Sequence, residues 1–357
     1  MFLMMKTMSV IVTALLLAIP LCLSYAEAIN YNQLRLMAAK HNMTCILVFG
    51  DSTVDPGNNN YLSTPAKSNF LPYGEDFYSG HPTGRFCNGR LTTDFIAEAF
   101  GYTDLVRAFL DPAITRKDLL HGVSFASAAS GYDEFTANLS NVLSISKQLD
   151  YFRHYKNHIR NLVGTKESEE IVRNALVILS IGTNDFLLNY YVVPTRSRQK
   201  EQYQNYLISR MKTAIKHSLG TRKVAVVGLP PFGCMPIVRT LRDDIKCDTE
   251  LNEVAVSFNS KIQRELKTLA RPSFTSVFVD IYRVVLNAVE SPKRYGFVEA
   301  LKGCCGSGTY EYGKTCKDLS TCSDRTKYVF WDAVHPTERM YKIIADDALQ
   351  LILSYMF

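Results

Sequence analysis

A serine, an aspartate and a histidine occupy positions in this sequence where acyl-transfer chemistry could use them. Ser52 lies in Phe49-Gly50-Asp51-Ser52-Thr53-Val54-Asp55-Pro56-Gly57-Asn58-Asn59-Asn60, straight after a short apolar run and on a glycine-containing turn that can present its hydroxyl. A serine hydroxyl is a weak nucleophile until a base takes its proton, and histidine suits that task near neutral pH. Of seven histidines, His335 lies in Trp331-Asp332-Ala333-Val334-His335-Pro336-Thr337, at the entry to the last helical pattern. Asp332 precedes it by one turn, near enough for its carboxylate to fix the imidazole tautomer and stabilise the imidazolium formed on attack. The attacked carbonyl becomes an oxyanion, which needs preorganised donors, each worth roughly 3 to 4 kcal/mol where one has been removed. The candidate donors are the backbone amide of Ser52, the amides of the Ser127-Ala128-Ala129-Ser130-Gly131 turn, with Ala129 and Gly131 foremost, and the side-chain amide of Asn184 in Gly182-Thr183-Asn184-Asp185.

Short apolar or β-branched runs at 45–49, 123–126, 176–181, 224–227 and 274–279 read as buried strands, each followed by turn residues. Helical patterns separate them. The clearest has Val142, Ile145, Leu149, Phe152, Tyr155, Ile159 and Leu162 at three- and four-residue steps and stops at Gly164. Others cover 91–100, 202–219 and 251–269, with a last helix after Thr337. Alternating strands and helices predict an α/β fold: a three-layer sandwich with a central parallel sheet of about five strands and helices on both faces. Ligands of such sheets bind where the carboxyl ends of strands open onto loops, which is where all four motifs fall.

The chain begins with a single charge, Lys6, an apolar run from Val10 to Leu23, and the small-residue pattern Ala26-Glu27-Ala28. That predicts a signal peptide over 1–28, cleaved after Ala28, and one domain over 29–357. The apolar run is shorter than the ~20 residues a spanning helix needs. Of nine cysteines, Cys22 leaves with the signal, and an oxidising compartment makes the rest disulfide candidates: Cys45, Cys87, Cys234, Cys247, Cys304, Cys305, Cys316 and Cys322. Proximity favours Cys234 with Cys247, and local loops joining Cys304 and Cys305 to Cys316 and Cys322. Adjacent Cys304 and Cys305 do not match two-residue-spaced zinc pairs, and His154 and His158 sit on a polar helix face with no acidic companion, so no metal or other cofactor is expected. Asn42-Met43-Thr44 and Asn138-Leu139-Ser140 are candidate glycan acceptors at Asn42 and Asn138. The net charge of +6 is scattered, which excludes a nucleic-acid face but allows a weak attraction to acidic cell-wall polymers.

From about Cys45 to the C-terminus the chain resembles the plant GDSL esterase/lipase family of the SGNH hydrolases. The resemblance is carried by Gly50-Asp51-Ser52 with its Asn-rich tail, Gly122 to Gly131, Gly182 to Asp185 and Asp332 to His335. Gly228-Leu229-Pro230-Pro231-Phe232-Gly233-Cys234 and the Cys304-Cys305-Gly306 region add to it. Each motif alone is weak; together, in this order and each after a strand, they are specific. The resemblance implies a flavodoxin-like fold and a secreted serine esterase of lipid or short-chain acyl esters. It makes Ser52 the nucleophile, Asp332 and His335 its partners, and Asn184 with an amide of the second block the oxyanion hole.

Two positions depart from the pattern. Thr53 replaces the leucine of the family name, a packing change. Ala129 stands where the family often has glycine, so its amide serves only if its backbone angle is open to a residue with Cβ. Otherwise Gly131 or another amide must substitute. A cell-wall polysaccharide O-acetylesterase and an inactive carbohydrate-binding protein on the same scaffold are the alternatives. No Gly-x-Ser-x-Gly elbow is present, since Gly122-Val123-Ser124-Phe125-Ala126 fails at its last position.

Overall fold

Five apolar runs become strands because their residues are buried on both sides, as a parallel sheet covered by helices requires. The strands are β1 (Ile46–Gly50), β3 (Gly122–Ser124), β4 (Leu176–Ser180), β5 (Lys223–Val227) and β6 (Thr275–Val279). The sheet has six strands rather than about five, in the order β2-β3-β1-β4-β5-β6 and parallel throughout. The additional strand, β2 (Arg107–Ala108), is an edge of two residues with no apolar run to announce it. The computed structural model describes residues 30–192, 199–218 and 220–357, so the expected signal peptide lies outside the described residues. Tyr31–Phe357 form one compact unit.

Helices cover both faces of the sheet. On one, the helix Ile145–Val163 packs against β1 and against the helix Lys200–Ser218. Its buried Phe152 and Tyr155 meet Phe49 of β1 and Phe125, with Phe49 and Phe125 stacked 5.0 Å apart. Burial of each such side chain contributes roughly 1.5 to 3 kcal/mol. On the other face the final helix, Glu338–Met356, lies against β6 and the helix Thr92–Phe100. Thr337 caps the final helix by accepting a hydrogen bond from the Met340 amide.

A second sheet of two parallel strands, β7 (Glu299–Gly303) and β8 (Tyr328–Phe330), was not expected from the sequence. Disulfides Cys304–Cys322 and Cys305–Cys316 join the segment between these strands, and Cys234–Cys247 closes a separate loop. Proximity favoured Cys234 with Cys247 and local loops among the other four, and left open which of Cys304 and Cys305 takes which partner. Cys45 and Cys87, also disulfide candidates, are instead free and buried. Each behaves there as a small apolar side chain.

Candidate active site

β3, β1 and β4 are neighbours in the sheet, so their carboxyl ends place three loops side by side, about 4.8 Å apart per strand. Those loops carry Ser52, the Ser127–Gly131 turn and Asn184. Gly50 ends β1 at φ 155°, and a Cβ there would stand 2.0 Å from the Ser180 carbonyl oxygen, so only glycine lets β1 and β4 approach this closely. Gln148, from the helix beneath, accepts from the Gly50 amide at 2.9 Å and donates to the Gly50 carbonyl at 2.9 Å.

The Asn-rich tail stitches the serine loop to the turn after β3. Asp55 accepts from the amides of Gly57, Asn58 and Ala128 at 2.7 to 2.9 Å. Asn58 donates to the Ser124 and Ala126 carbonyls, and Asn59 donates to the Ala66 and Ala128 carbonyls while accepting from the Ser127 hydroxyl. Burial pushes Asp55 and Asp51 each up to about 6. Thr53 is more than a packing change. Its amide and hydroxyl both donate to Asp51, and its hydroxyl meets that of Ser180 at 2.9 Å.

His335 reaches this loop from the end of β8. Its Nε2 lies 2.9 Å from Ser52 Oγ, and its Nδ1 lies 2.8 Å and 3.0 Å from the two carboxylate oxygens of Asp332. Asp332 Oδ1 also accepts from the Val334 and His335 amides, so it shapes the turn as well as holding the ring. Ser52 is 9% exposed, His335 4% and Asp332 0%, so the row runs inward from a partly open hydroxyl. The Phe86 ring packs 4.9 Å from the imidazole.

Tyr73 is a partner that the sequence did not reveal. Its hydroxyl donates to Asp332 Oδ2 at 2.7 Å and accepts from the Gly313 amide at 2.6 Å. Gly313 belongs to the loop closed by Cys305–Cys316, and Tyr73, Phe86, Trp331 and four-cysteine-region residues Cys304, Cys305 and Cys316 form one buried cluster behind Asp332. Nothing in the order of residues marks a tyrosine 259 positions away from its aspartate.

Ala129 takes the left-handed conformation, φ 69°, that favours glycine. The angle is therefore accessible, at a cost of roughly 1 to 2 kcal/mol for a residue with Cβ. Among the described residues no protein group accepts from the amides of Ser52, Ala129 or Gly131. Asn184 Nδ2 donates to the Ser130 carbonyl at 3.0 Å, which orients the amide and leaves its second hydrogen for another acceptor. Gly131 is glycine for a different reason, since a Cβ there would lie 2.2 Å from Asp185 Oδ1. Asp185, the residue after Asn184, accepts from the Tyr132 and Asp133 amides and the Thr136 hydroxyl, and burial pushes it up to about 7. It locks the loop after β4 to the loop after β3.

His154 and His158 are exposed on their helix, and Asn42 and Asn138 are exposed as well. No helix among the described residues is long and apolar enough to cross a membrane.

The sequence model of the GDSL-like Lipase/Acylhydrolase family matches residues 46–348. GDSL esterase/lipase At5g45950 of Arabidopsis thaliana is 52% identical over 330 residues, covering 91% of this chain and 92% of its own. GDSL esterase/lipase At5g45960 is 44% identical over 316 residues, 85% of this chain and 84% of its own. GDSL esterase/lipase APG, also of Arabidopsis thaliana, is 42% identical over 311 residues, 84% and 88% of the two chains. The match takes in the serine loop, both neighbouring loops and the histidine turn, and the chain belongs to the GDSL-like lipase/acylhydrolase family.

Proposed function

We propose that the protein is a secreted carboxylic ester hydrolase working through Ser52, His335, Asp332 and an acyl-enzyme. The observation that carries this reading is the continuous row of contacts from Ser52 Oγ through both imidazole nitrogens to Asp332. Ser52 attacks the ester carbonyl while His335 Nε2 takes its proton, and the carbonyl oxygen becomes an oxyanion. Collapse expels the alcohol, which receives that proton from His335, and leaves the acyl group on Ser52. Water then gives a proton to His335 and attacks the acyl-enzyme; the second collapse returns the proton to Ser52 and releases the acid. Asp332 keeps Nδ1 protonated and balances the imidazolium throughout.

The oxyanion sits among the amides of Ser52 and Ala129 and the free hydrogen of Asn184, with Gly131 adjoining. Ala129 holds a left-handed φ of 69°, which supports its amide as one of these donors. Export follows from the N-terminal apolar run and Ala26-Glu27-Ala28 and is supported by three disulfides, which persist in oxidising compartments. Mature protein from the medium should begin at Ile29.

The decisive experiment is Ser52→Ala in folded protein, assayed on carboxylic esters and with a serine-reactive phosphonate. We expect turnover to fall by about 10⁴-fold or more and labelling to vanish. Labelling that persists would move the nucleophile elsewhere.

A further inference from the structure

Gln148 is the one amide on the buried face of the helix Ile145–Val163, among Ile145, Leu149, Phe152, Tyr155 and Ile159. A buried amide is costly unless its hydrogen-bonding groups are met, and here the loops of the site meet them. Oε1 accepts from the Gly50 amide at 2.9 Å. Nε2 shares its two hydrogens among the Gly50 carbonyl at 2.9 Å, the Ser130 hydroxyl at 3.1 Å and the Leu143 carbonyl at 3.3 Å. Ser130, fully buried as well, donates its hydroxyl to the same Gly50 carbonyl at 2.8 Å, and its own carbonyl accepts from Asn184 Nδ2 at 3.0 Å. Gly50 precedes Ser52 by two residues and Ser130 directly follows Ala129. One buried junction thus joins the serine loop, the turn after β3 and the loop after β4.

From this junction we infer that Gln148, acting through Ser130 and Gly50, is a positioning residue of the ester hydrolysis: it sets the separation of Ser52 from the Ala129 amide and from Asn184 Nδ2. The inference rests on the esterase reading above. Strand pairing does not set that separation, because β1 and β3 are in register only as far as Val48 and Ser124. Beyond that pair the Ser127 amide bonds the Gly50 carbonyl at 3.0 Å, and side chains supply the other ties. Gly50 presents a donor and an acceptor side by side, and a neutral amide matches both while it donates to Ser130. A carboxylate at this place offers acceptors alone and faces the Gly50 and Leu143 carbonyl oxygens with no hydrogen between them. An apolar side chain of the same length offers neither group. A shift of about 1 Å between nucleophile and oxyanion donors is enough to cost roughly 100-fold in rate.

The test measures kcat and KM on p-nitrophenyl butanoate, and the rate of labelling by a serine-reactive phosphonate, for the purified wild type, Gln148→Met, Gln148→Glu and Ser130→Ala. In folded Gln148→Met, kcat and the labelling rate should fall by about 100-fold with KM within about threefold of the wild type. Ser130→Ala removes one hydroxyl and keeps the amide, so kcat should fall by about tenfold, and it carries the test where Gln148→Met does not fold. Gln148→Glu separates positioning from filling of space, since a protonated carboxyl accepts and donates as the amide does. At pH 6 its kcat should exceed that of Gln148→Met by about tenfold or more, and its ratio to wild-type kcat at the same pH should drop toward pH 9 as the carboxyl loses its proton. Wild-type kcat in folded Gln148→Met or Ser130→Ala, or a glutamate variant no faster than the methionine variant at pH 6, overturns the inference. Failure of the esterase reading looks different: Ser52→Ala would still hydrolyse or label, whereas a junction without a positioning role leaves turnover dependent on Ser52 and indifferent to Gln148.

Discussion

Asp332 illustrates how much work one buried carboxylate does in this site. It holds the imidazole, closes its own turn through two amides, and takes a further hydrogen bond from Tyr73. Hydrogen bonds to charged groups contribute about 1.5 to 3 kcal/mol. Tyr73→Phe should therefore lower kcat by roughly 10- to 100-fold with KM little changed, while a fluorophosphonate labels Ser52 correspondingly slowly. Unchanged kcat would show that Tyr73 only fills space. Ala129 poses the opposite case, a residue tolerated at an angle meant for glycine. Ala129→Gly relieves roughly 1 to 2 kcal/mol of left-handed strain but gives the unfolded chain about 0.4 to 1 kcal/mol of added freedom. Urea unfolding should show a net gain of up to about 1 kcal/mol with kcat/KM preserved. A loss of stability would mean that the alanine methyl makes contacts worth more than the strain.

At the scale of elements, the site depends on loops tied together rather than on the strands alone. Asn59 joins the serine loop to the turn after β3 by two hydrogen bonds, to the Ala128 carbonyl and from the Ser127 hydroxyl, and holds the Ala66 carbonyl by a third. Asn59→Ala leaves those partners unsatisfied and should cost about 2 to 4 kcal/mol, measured as a lower urea midpoint, with activity falling as the Ser52 and Ala129 amides lose register. The Cys305–Cys316 disulfide closes the loop that delivers the Gly313 amide to Tyr73. Replacing both cysteines with alanine should cost roughly 2 to 4 kcal/mol and reduce kcat in the same direction as Tyr73→Phe. If stability falls while kcat holds, the loop supports the fold without positioning Tyr73.

For the molecule as a whole, buried carboxylates set the pH dependence of stability. Burial pushes Asp51 up to about 6 and Asp185 up to about 7, whereas an unfolded aspartate titrates near ~4. Each carboxyl holds its proton more tightly in the folded chain. Its contribution to stability is full below about pH 4 and is lost as pH rises through about 6 for Asp51 and 7 for Asp185. Asp51→Asn keeps an acceptor for the Thr53 amide and hydroxyl and carries no charge. Thermal unfolding at pH 8 should show it about 1 to 3 kcal/mol more stable than the parent, with the difference vanishing near pH 4.

Periodicity and the order of motifs made the sheet, its main helices, Ser52, Asp332, His335 and Asn184 legible in the chain, because each signal is local. A strand announces itself by a continuous apolar run, a helix by spacing, and the Asp332–His335 contact spans a single turn. Cysteine proximity marked Cys234 with Cys247 and the four cysteines of the Cys304–Cys322 region for the same reason, without assigning partners within that region. The two-residue edge strand, the small β7–β8 sheet and the unpaired Cys45 and Cys87 escaped, since they depend on neighbours distant in sequence. So did Tyr73, the ties of Asp185 to the Gly131 loop, the hydrogen-bonding of Thr53 and the open angle of Ala129. Tyr73 and Asp185 meet partners from segments far apart in sequence, which packing alone brings together.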